Sequence, residues 1–301
     1  MMNNPRTAVL LACHNGEKYL AQQLESLFRQ KDADITVFIR DDGSSDHTQE
    51  VLKTWESEKC ILFFEDNIGA AESFLWLMDR AEGFDYYAFC DQDDLWDSDK
   101  ISCAVKQLEA ERNRPSLYFS AKRIIGEDGT LLEEKSMSAE AGVYSLEKAV
   151  LGNNATGCTM VVNRRMRDLT VKYRPERMIM HDHWLYLLCL AAGGRVVYDD
   201  MPHMSYRQHG GNTLGDKIPL RKRLKNSSAR RGKNLRRCIV QQILEQYADE
   251  IPEENRRILR EFALYQNGFQ QKMALIRRIR AMQLSHIRKM ITAAEILMEI
   301  F

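Results

Sequence analysis

The chain has 301 residues, 44% apolar and 29% charged, enough to bury a sizeable core. No stretch approaches the roughly 18–20 apolar residues of a bilayer crossing, the N-terminal run lacks the length and cleavage site of a secretory signal, and seven cysteines without a CxxC pair argue against a disulfide framework or a structural zinc site, so a cytoplasmic protein is expected. The formal net charge of zero hides a division: residues 1–215 carry 24 Lys/Arg against 34 Asp/Glu, and residues 216–301 carry 19 against 9.

In chain order, the first hundred residues alternate strand-like and helix-like runs. Thr7–Ala12 reads as a short buried strand, and Glu17–Gln30 places Tyr19, Leu20, Leu24, Leu27 and Phe28 at helical spacing. Thr36–Ile39 predicts a second strand, ending at Arg40-Asp41-Asp42-Gly43. A helix through Val51, Leu52 and Trp55 follows, with Ser45 or Asp46 as its cap. Then come a strand at Cys60–Phe64, a helix over Ala70–Ala81, a strand at Tyr86–Cys90 and a helix from near Lys100. This alternation predicts an α/β fold with a mostly parallel central sheet and flanking helices. Ligands gather at the carboxyl ends of such strands. Further on, Leu117–Lys122, Thr159–Val162 and Arg195–Tyr198 are expected strands, His181 to Ala192 an expected helix, and the chain beyond Gly215 is expected to be helical. The predicted organisation is a catalytic domain over 1–215 and a basic helical extension over 216–301.

Asp91-Gln92-Asp93-Asp94 follows directly on an apolar run. Clustered carboxylates at a buried strand end raise one another's pKa values, and a divalent cation with a taste for oxygen, Mg²⁺ or Mn²⁺, removes the conflict. Leu95-Trp96 comes next, and Trp96 either closes this loop against the core or walls a sugar-sized pocket. Asp41 and Asp42, at another strand end, suit a base N–H or a ribose hydroxyl; their plain alternative is a turn and a helix cap. His181-Asp182-His183-Trp184 opens an apolar helix, where free backbone N–H groups stabilise Asp182 and where a carboxylate also suits a general base. Tyr206-Arg207-Gln208-His209-Gly210-Gly211-Asn212-Thr213 packs donors and paired glycines into eight residues, with Arg207 or His209 placed to reach a phosphate or the metal. Cys158 reads as buried packing. A zinc site from His181, His183, His203 and His209 has no matching ligand spacing.

Taken together these residues resemble the inverting, nucleotide-sugar-dependent glycosyltransferases of family two, which have the A-type fold. The resemblance covers roughly residues 6–213. It rests on Leu11-Ala12-Cys13-His14-Asn15-Gly16, Arg40 to Asp46, Asp66-Asn67-Ile68-Gly69 and, most specifically, Cys90-Asp91-Gln92-Asp93-Asp94-Leu95-Trp96. The last form, with His209-Gly210-Gly211-Asn212, is similar to the rhamnosyltransferase-like branch that builds bacterial surface polysaccharides. The resemblance implies Asp182 as catalytic base. It implies Asp93 as principal metal ligand with Asp91, Asp94 and His209. Asn15, Asp41, Asp42, Asn67, Asp91, Gln92, Trp96 and Arg207 would then line the nucleotide-sugar site. His181 stands where the family more often has Glu, and His14 where it more often has Tyr.

The implied partners are a dTDP- or UDP-linked sugar and a glycan or lipid-linked acceptor. Lys217 to Arg237 holds ten basic residues and no acid, which suits an anionic inner membrane surface or an oligomer contact. Nucleic acid is not expected, given the acidic front domain. A metal-dependent sugar nucleotidyltransferase is one rival, although Ala12 to Lys18 lacks a glycine-rich phosphate loop. A non-catalytic carbohydrate- or nucleotide-binding protein is another.

Overall fold

The structure, a computed structural model, describes residues 4–136, 144–210, 234–299 and 301. Its strands are β1 (Arg6–Cys13), β2 (Asp34–Asp42), β3 (Cys60–Glu65), β4 (Tyr86–Cys90), β5 (Leu95–Trp96), β6 (Ser116–Ser120), β7 (Lys122–Ile125), β8 (Leu131–Ser136), β9 (Val161–Asn163), β10 (Arg195–Asp199) and β11 (Met204–Arg207). Its α-helices are α1 (Leu20–Leu27), α2 (Thr48–Lys53), α3 (Ala70–Arg80), α4 (Lys100–Leu108), α5 (Leu146–Leu151), α6 (Arg164–Val171), α7 (His181–Ala191), α8 (Leu235–Gln246), α9 (Glu253–Leu264), α10 (Phe269–Ala281) and α11 (His286–Leu297).

Seven strands form the central sheet in the order β10-β6-β9-β4-β1-β2-β3. β1 pairs parallel with β2 and β4, β2 with β3, and β6 with β10, while β9 runs antiparallel to both its neighbours. β1 and β4 are apolar nearly throughout, as strands covered on both faces must be. One face packs on α3, α6 and α7, and the same apolar cluster continues into Ile239, Tyr247, Phe262, Ile276 and Phe301 of the C-terminal part of the chain. The other face packs on α1 and α4 and on a small second sheet, β5-β11-β7-β8.

The expected α/β fold with a mostly parallel sheet and a helical C-terminal extension is therefore present. Leu117–Lys122, expected as one strand, is two: β6 ends at Ser120 and β7 starts at Lys122 in the second sheet. The expected strand start at Thr159 falls instead in a 3₁₀ turn, Gly157–Thr159. Among the described residues no helix is long and apolar enough to cross a membrane. Eight of the ten basic residues in 217–237 lie outside the described residues, as do Gly211, Asn212 and Thr213. The other two turn inward. Arg236 pairs with Glu295 at 3.2 Å and Arg237 Nε donates to Ala263 O. Neither is a loose surface charge, because each finds a protein acceptor in the packed helices.

Candidate active site

The carboxyl ends of β1, β2 and β4 meet at one edge of the sheet, because these strands are parallel neighbours. The loops that leave them are tied to each other. Gln92 accepts from His14 N at 2.8 Å through Oε1 and donates to His14 O through Nε2 at 3.1 Å. A Cβ on Gly16 would stand 2.5 Å from Gln92 Oε1, so glycine is what lets the two loops approach. Asn15, in the left-handed region at φ 50°, accepts from Ser45 N at 2.8 Å. Gln92 and Asn15 thus serve as loop ties, with their polar atoms already bonded to protein.

Asp41 is buried and accepts from Ser44 Oγ, and from Gln49 Nε2 at 2.8 Å. Asp42 is buried too. It pairs with Arg40 and accepts from Ile68 N and Gly69 N, each at 2.8 Å, at the entrance to α3. Burial works to raise its pKa, but the Ile68, Arg40 and Gly69 hydrogen bonds outweigh it and hold the carboxyl below its usual range. Asn67 is exposed beside them, donating to Asp42 O at 2.9 Å.

Asp91 to Asp94 form the acidic floor. Burial pushes the Asp91 carboxyl up to about 7, with repulsion from Asp93 and Asp182 adding to it and Lys122 opposing. Asp94 is raised well above the carboxylate range by burial and then by Asp91 and Asp93. Its Oδ2 is buried with no hydrogen-bond partner, while Oδ1 accepts from Arg207 N at 3.2 Å. Asp91, Asp94 and Cys158 bring a ligand atom each within 4.8 Å of one another. Asp93 instead pairs with His209, whose Nε2 lies 2.7 Å from Asp93 Oδ2 and whose ring sits 5.1 Å from that of Tyr19. The carboxylates therefore divide into two subsets; Cys158 is buried in the core, as expected, and its Sγ also adjoins one of them. An unpartnered buried carboxylate oxygen on Asp94, neighbouring carboxyls raised by burial and then by mutual repulsion, and an imidazole make a donor set that fits a hard divalent cation.

Two residues expected to line the nucleotide-sugar site are used otherwise. Trp96 is buried in the core beneath the loop, with the Lys100 ammonium 4.5 Å from its ring, so it closes the loop rather than walling a pocket. Arg207 is 2% exposed, and its guanidinium donates to Asp93 O, Glu127 O and Gln22 Oε1 at 2.9–3.0 Å. With its donors on protein oxygens it clamps the acidic loop instead of presenting itself to phosphate.

Asp182 begins α7. Its carboxylate accepts from His183 N at 2.7 Å and Gly157 N at 3.1 Å, and from the Asn153 side chain. Burial raises it to about 6 despite these bonds. It is close enough to Asp91 for the two charges to repel, which brings the start of α7 to the acidic floor. His181 points the other way. Its ring lies 4.1 Å from Phe74 and 5.2 Å from Phe89, both ring nitrogens lack partners, and burial lowers it to about 3. Lys100 was not anticipated. Buried, and lowered to about 8 by that burial, it donates to Cys158 O at 2.9 Å and so links the acidic loop to the turn that holds Asp182. The Lys at the start of a predicted helix gave no sign of burial; only the long-range packing does.

Residues 8–168 match the family described as glycosyl transferase family 2. The dTDP-rhamnosyl transferase RfbG of Shigella flexneri is 30% identical over 244 residues, covering 76% of this chain and 82% of that protein. The Escherichia coli protein named UDP-Glc:alpha-D-GlcNAc-diphosphoundecaprenol beta-1,3-glucosyltransferase WfaP is 24% identical over 215 residues, 70% of this chain and 80% of that protein. In fold, the chain is similar to S. aureus TarS 1–349, with a TM-score of 0.57 at 16% identity, covering 98% of this chain and 81% of that one. The chain belongs to glycosyl transferase family 2, and it transfers a sugar from a nucleoside-diphosphate sugar to an acceptor.

Proposed function

We propose that the protein is an inverting glycosyltransferase that moves a hexose or deoxyhexose, rhamnose-like, to a hydroxyl of a glycan or lipid-linked acceptor in surface-polysaccharide synthesis. The observation that carries this reading is the carboxylate of Asp182, raised to about 6 by burial and facing the acidic floor at Asp91. A group of that pKa is ionised near neutral pH yet basic enough to take a proton as bonding to the electrophile develops. The RfbG name supports a dTDP-linked deoxyhexose donor, and the WfaP name supports a diphosphate-lipid acceptor. Residues 1–215 would carry the chemistry, at the inner face of the cell membrane.

Asp182 removes the acceptor hydroxyl proton. The oxygen forms its bond to the anomeric carbon from the face opposite the diphosphate, and the carbon–oxygen bond to the diphosphate breaks, so configuration inverts and a nucleoside diphosphate leaves. The Gly157 and His183 N–H groups hold the Asp182 carboxylate in place. Asp91, Asp93, Asp94 and His209 would hold Mg²⁺ or Mn²⁺, which when bound supplies positive charge against the departing diphosphate. Asn67, exposed at the strand ends, and the Asp41–Asp42 corner would receive the nucleoside.

Asp182→Asn should bind dTDP-rhamnose or a UDP-sugar as tightly as the parent in titration calorimetry, and lose transfer by about 10³-fold or more. Asp93→Ala should instead lose the Mn²⁺-dependent part of donor binding. Full transfer by Asp182→Asn would remove the base assignment. Consumption of a nucleoside triphosphate with a sugar phosphate would favour the nucleotidyltransferase rival.

A further inference from the structure

A second group of metal-ligating side chains stands outside the acidic floor, at the start of α4. Asp99 is the residue from which α4 begins, and Cys103 follows one turn later on the same side of the helix. His203 comes 104 residues after Asp99, in the connection between β10 and β11. One atom from each of the three lies within 4.8 Å of the other two. Two of these residues share a helix turn and the third arrives only through the fold, so no ligand spacing in the sequence announces the group.

The separations are those of a coordination shell rather than of a tight ion pair. His203 Nδ1 lies 3.3 Å from Asp99 Oδ1, and Cys103 Sγ lies 3.7 Å from Asp99 Oδ2. A charge-assisted N–H···O bond closes to about 2.7–2.9 Å. Around zinc, with nitrogen and oxygen at about 2.0–2.1 Å and sulfur at about 2.3 Å, tetrahedral edges measure about 3.3 Å from N to O and about 3.6 Å from S to O. The imidazole is also aimed. Nε2 of the buried His203 faces Asp199 Oδ2 at 3.3 Å. Asp199 is itself held by Gln107 Nε2, by the Tyr118 hydroxyl at 3.1 Å and by Met201 N at 2.9 Å. A proton on Nε2, donated to Asp199, leaves the Nδ1 lone pair directed at Asp99 and Cys103. That is the carboxylate–histidine arrangement that orients metal-bound imidazoles.

Donor chemistry selects the ion. A thiolate, an imidazole and one carboxylate suit Zn²⁺, whereas Mg²⁺ or Mn²⁺ suits the carboxylate-rich acidic floor. Burial and then the Asp99 charge push the Cys103 thiol up, a conflict that a cation on both groups removes. We propose that Asp99, Cys103 and His203 bind a zinc ion, with Asp199 orienting His203 and water on the exposed side of Asp99 completing the shell. The ion fastens the start of α4 to the segment entering β11. Asp97 N donates to His203 O at 3.1 Å there, and the next residue, Met204, pairs with Trp96. It shares no ligand with the cation expected on Asp91 to Asp94, and the proposed transfer does not use it.

The test is titration of the untagged, reduced full chain with Co²⁺, which reports sulfur ligation by a near-ultraviolet charge-transfer band and tetrahedral geometry by intense visible bands. The parent should show both, and added Zn²⁺ should bleach them. Cys103→Ser should abolish the charge-transfer band with circular dichroism unchanged. Cys158→Ser, which removes the thiol beside Asp91 and Asp94, should keep it. Asp199→Asn should keep the band and raise the Co²⁺ dissociation constant about 10–100-fold. The inference is overturned if the parent gives no charge-transfer band, which would leave His203 an imidazolium shared by two carboxylates. It is overturned equally if the band survives Cys103→Ser, or if Cys158→Ser removes it and so puts the ion on the acidic floor. An unchanged dissociation constant in Asp199→Asn would overturn the orienting role of that carboxylate.

Discussion

Asp182 and His181 are neighbours in sequence and opposites in environment. The Asp182 carboxylate stays at the sheet edge, where three donors hold it and burial still lifts it to about 6. His181 turns into the core between Phe74 and Phe89, where burial drops it to about 3 and keeps it neutral. A base works only in its ionised form. Activity therefore needs Asp182 deprotonated, and kcat/KM should fall about tenfold per pH unit below about 6. Residual activity of Asp182→Asn should lack that limb, which separates Asp182 from Asp91, the nearby carboxyl raised to about 7. A parent profile that stays flat down to about pH 5 would exclude Asp182 as the base.

At the scale of elements, the turn Gly157–Thr159 positions that base. A Cβ on Gly157 would lie 2.8 Å from His181 Nε2 and 3.4 Å from Asp182 Cβ. His181 cannot withdraw, because Phe74 and Phe89 pack on it. Gly157→Ala should cost about 1–3 kcal/mol in urea unfolding, as overpacked sites do. Transfer should drop about tenfold to a hundredfold through displacement of the Gly157 N–H from Asp182. Equal activity and stability would show that the turn yields freely. β1, β2, β3, β4, α3 and α7 were all legible from the sequence, since each pairs a clear apolar run with polar residues at its end. The second sheet was not. β5 has two residues and β11 four, too few for any period, and both are strands only through partners about a hundred residues away. That gap explains Arg207 and Trp96. Their chemistry suggested ligand contact, while their use is decided by β5 and β11 lying side by side. The clustering of Asp91, Asp93 and Asp94 was legible because like charges at a strand end need a partner whatever the fold, and His209 stood out in the donor-rich loop after Tyr206; that His209 pairs with Asp93, and that Cys158 adjoins Asp91 and Asp94, is set by long-range packing.

For the whole molecule, a set of buried ionisable groups links stability to pH. Asp91, Asp94 and Asp182 have folded pKa values above the unfolded range. From about pH 4 to about pH 7 the folded chain thus keeps protons that the unfolded chain has lost, and these groups make stability fall as pH rises. His181 opposes them. Between about pH 6.5 and 3 the unfolded chain gains a proton on this ring that the folded chain excludes, so its contribution falls as pH falls. Asp42, with its lowered pKa, is ionised in both states across the upper part of this window and contributes no slope there. Three raised carboxyls outweigh one imidazole. In EDTA, stability by urea unfolding should therefore rise as pH is lowered from about 7.5 to about 5, by about 1.4 kcal/mol per pH unit for each net proton taken up on folding. A divalent cation binds the ionised carboxylates, so Mn²⁺ should stabilise the protein strongly at about pH 7.5 and weakly at about pH 5. Stability that climbs with pH in EDTA would mean that burial of these carboxyls is relieved in solution. A Mn²⁺ effect of equal size at both ends of the window would place the cation elsewhere than on Asp91 and Asp94, the carboxyls whose repulsion it is expected to remove.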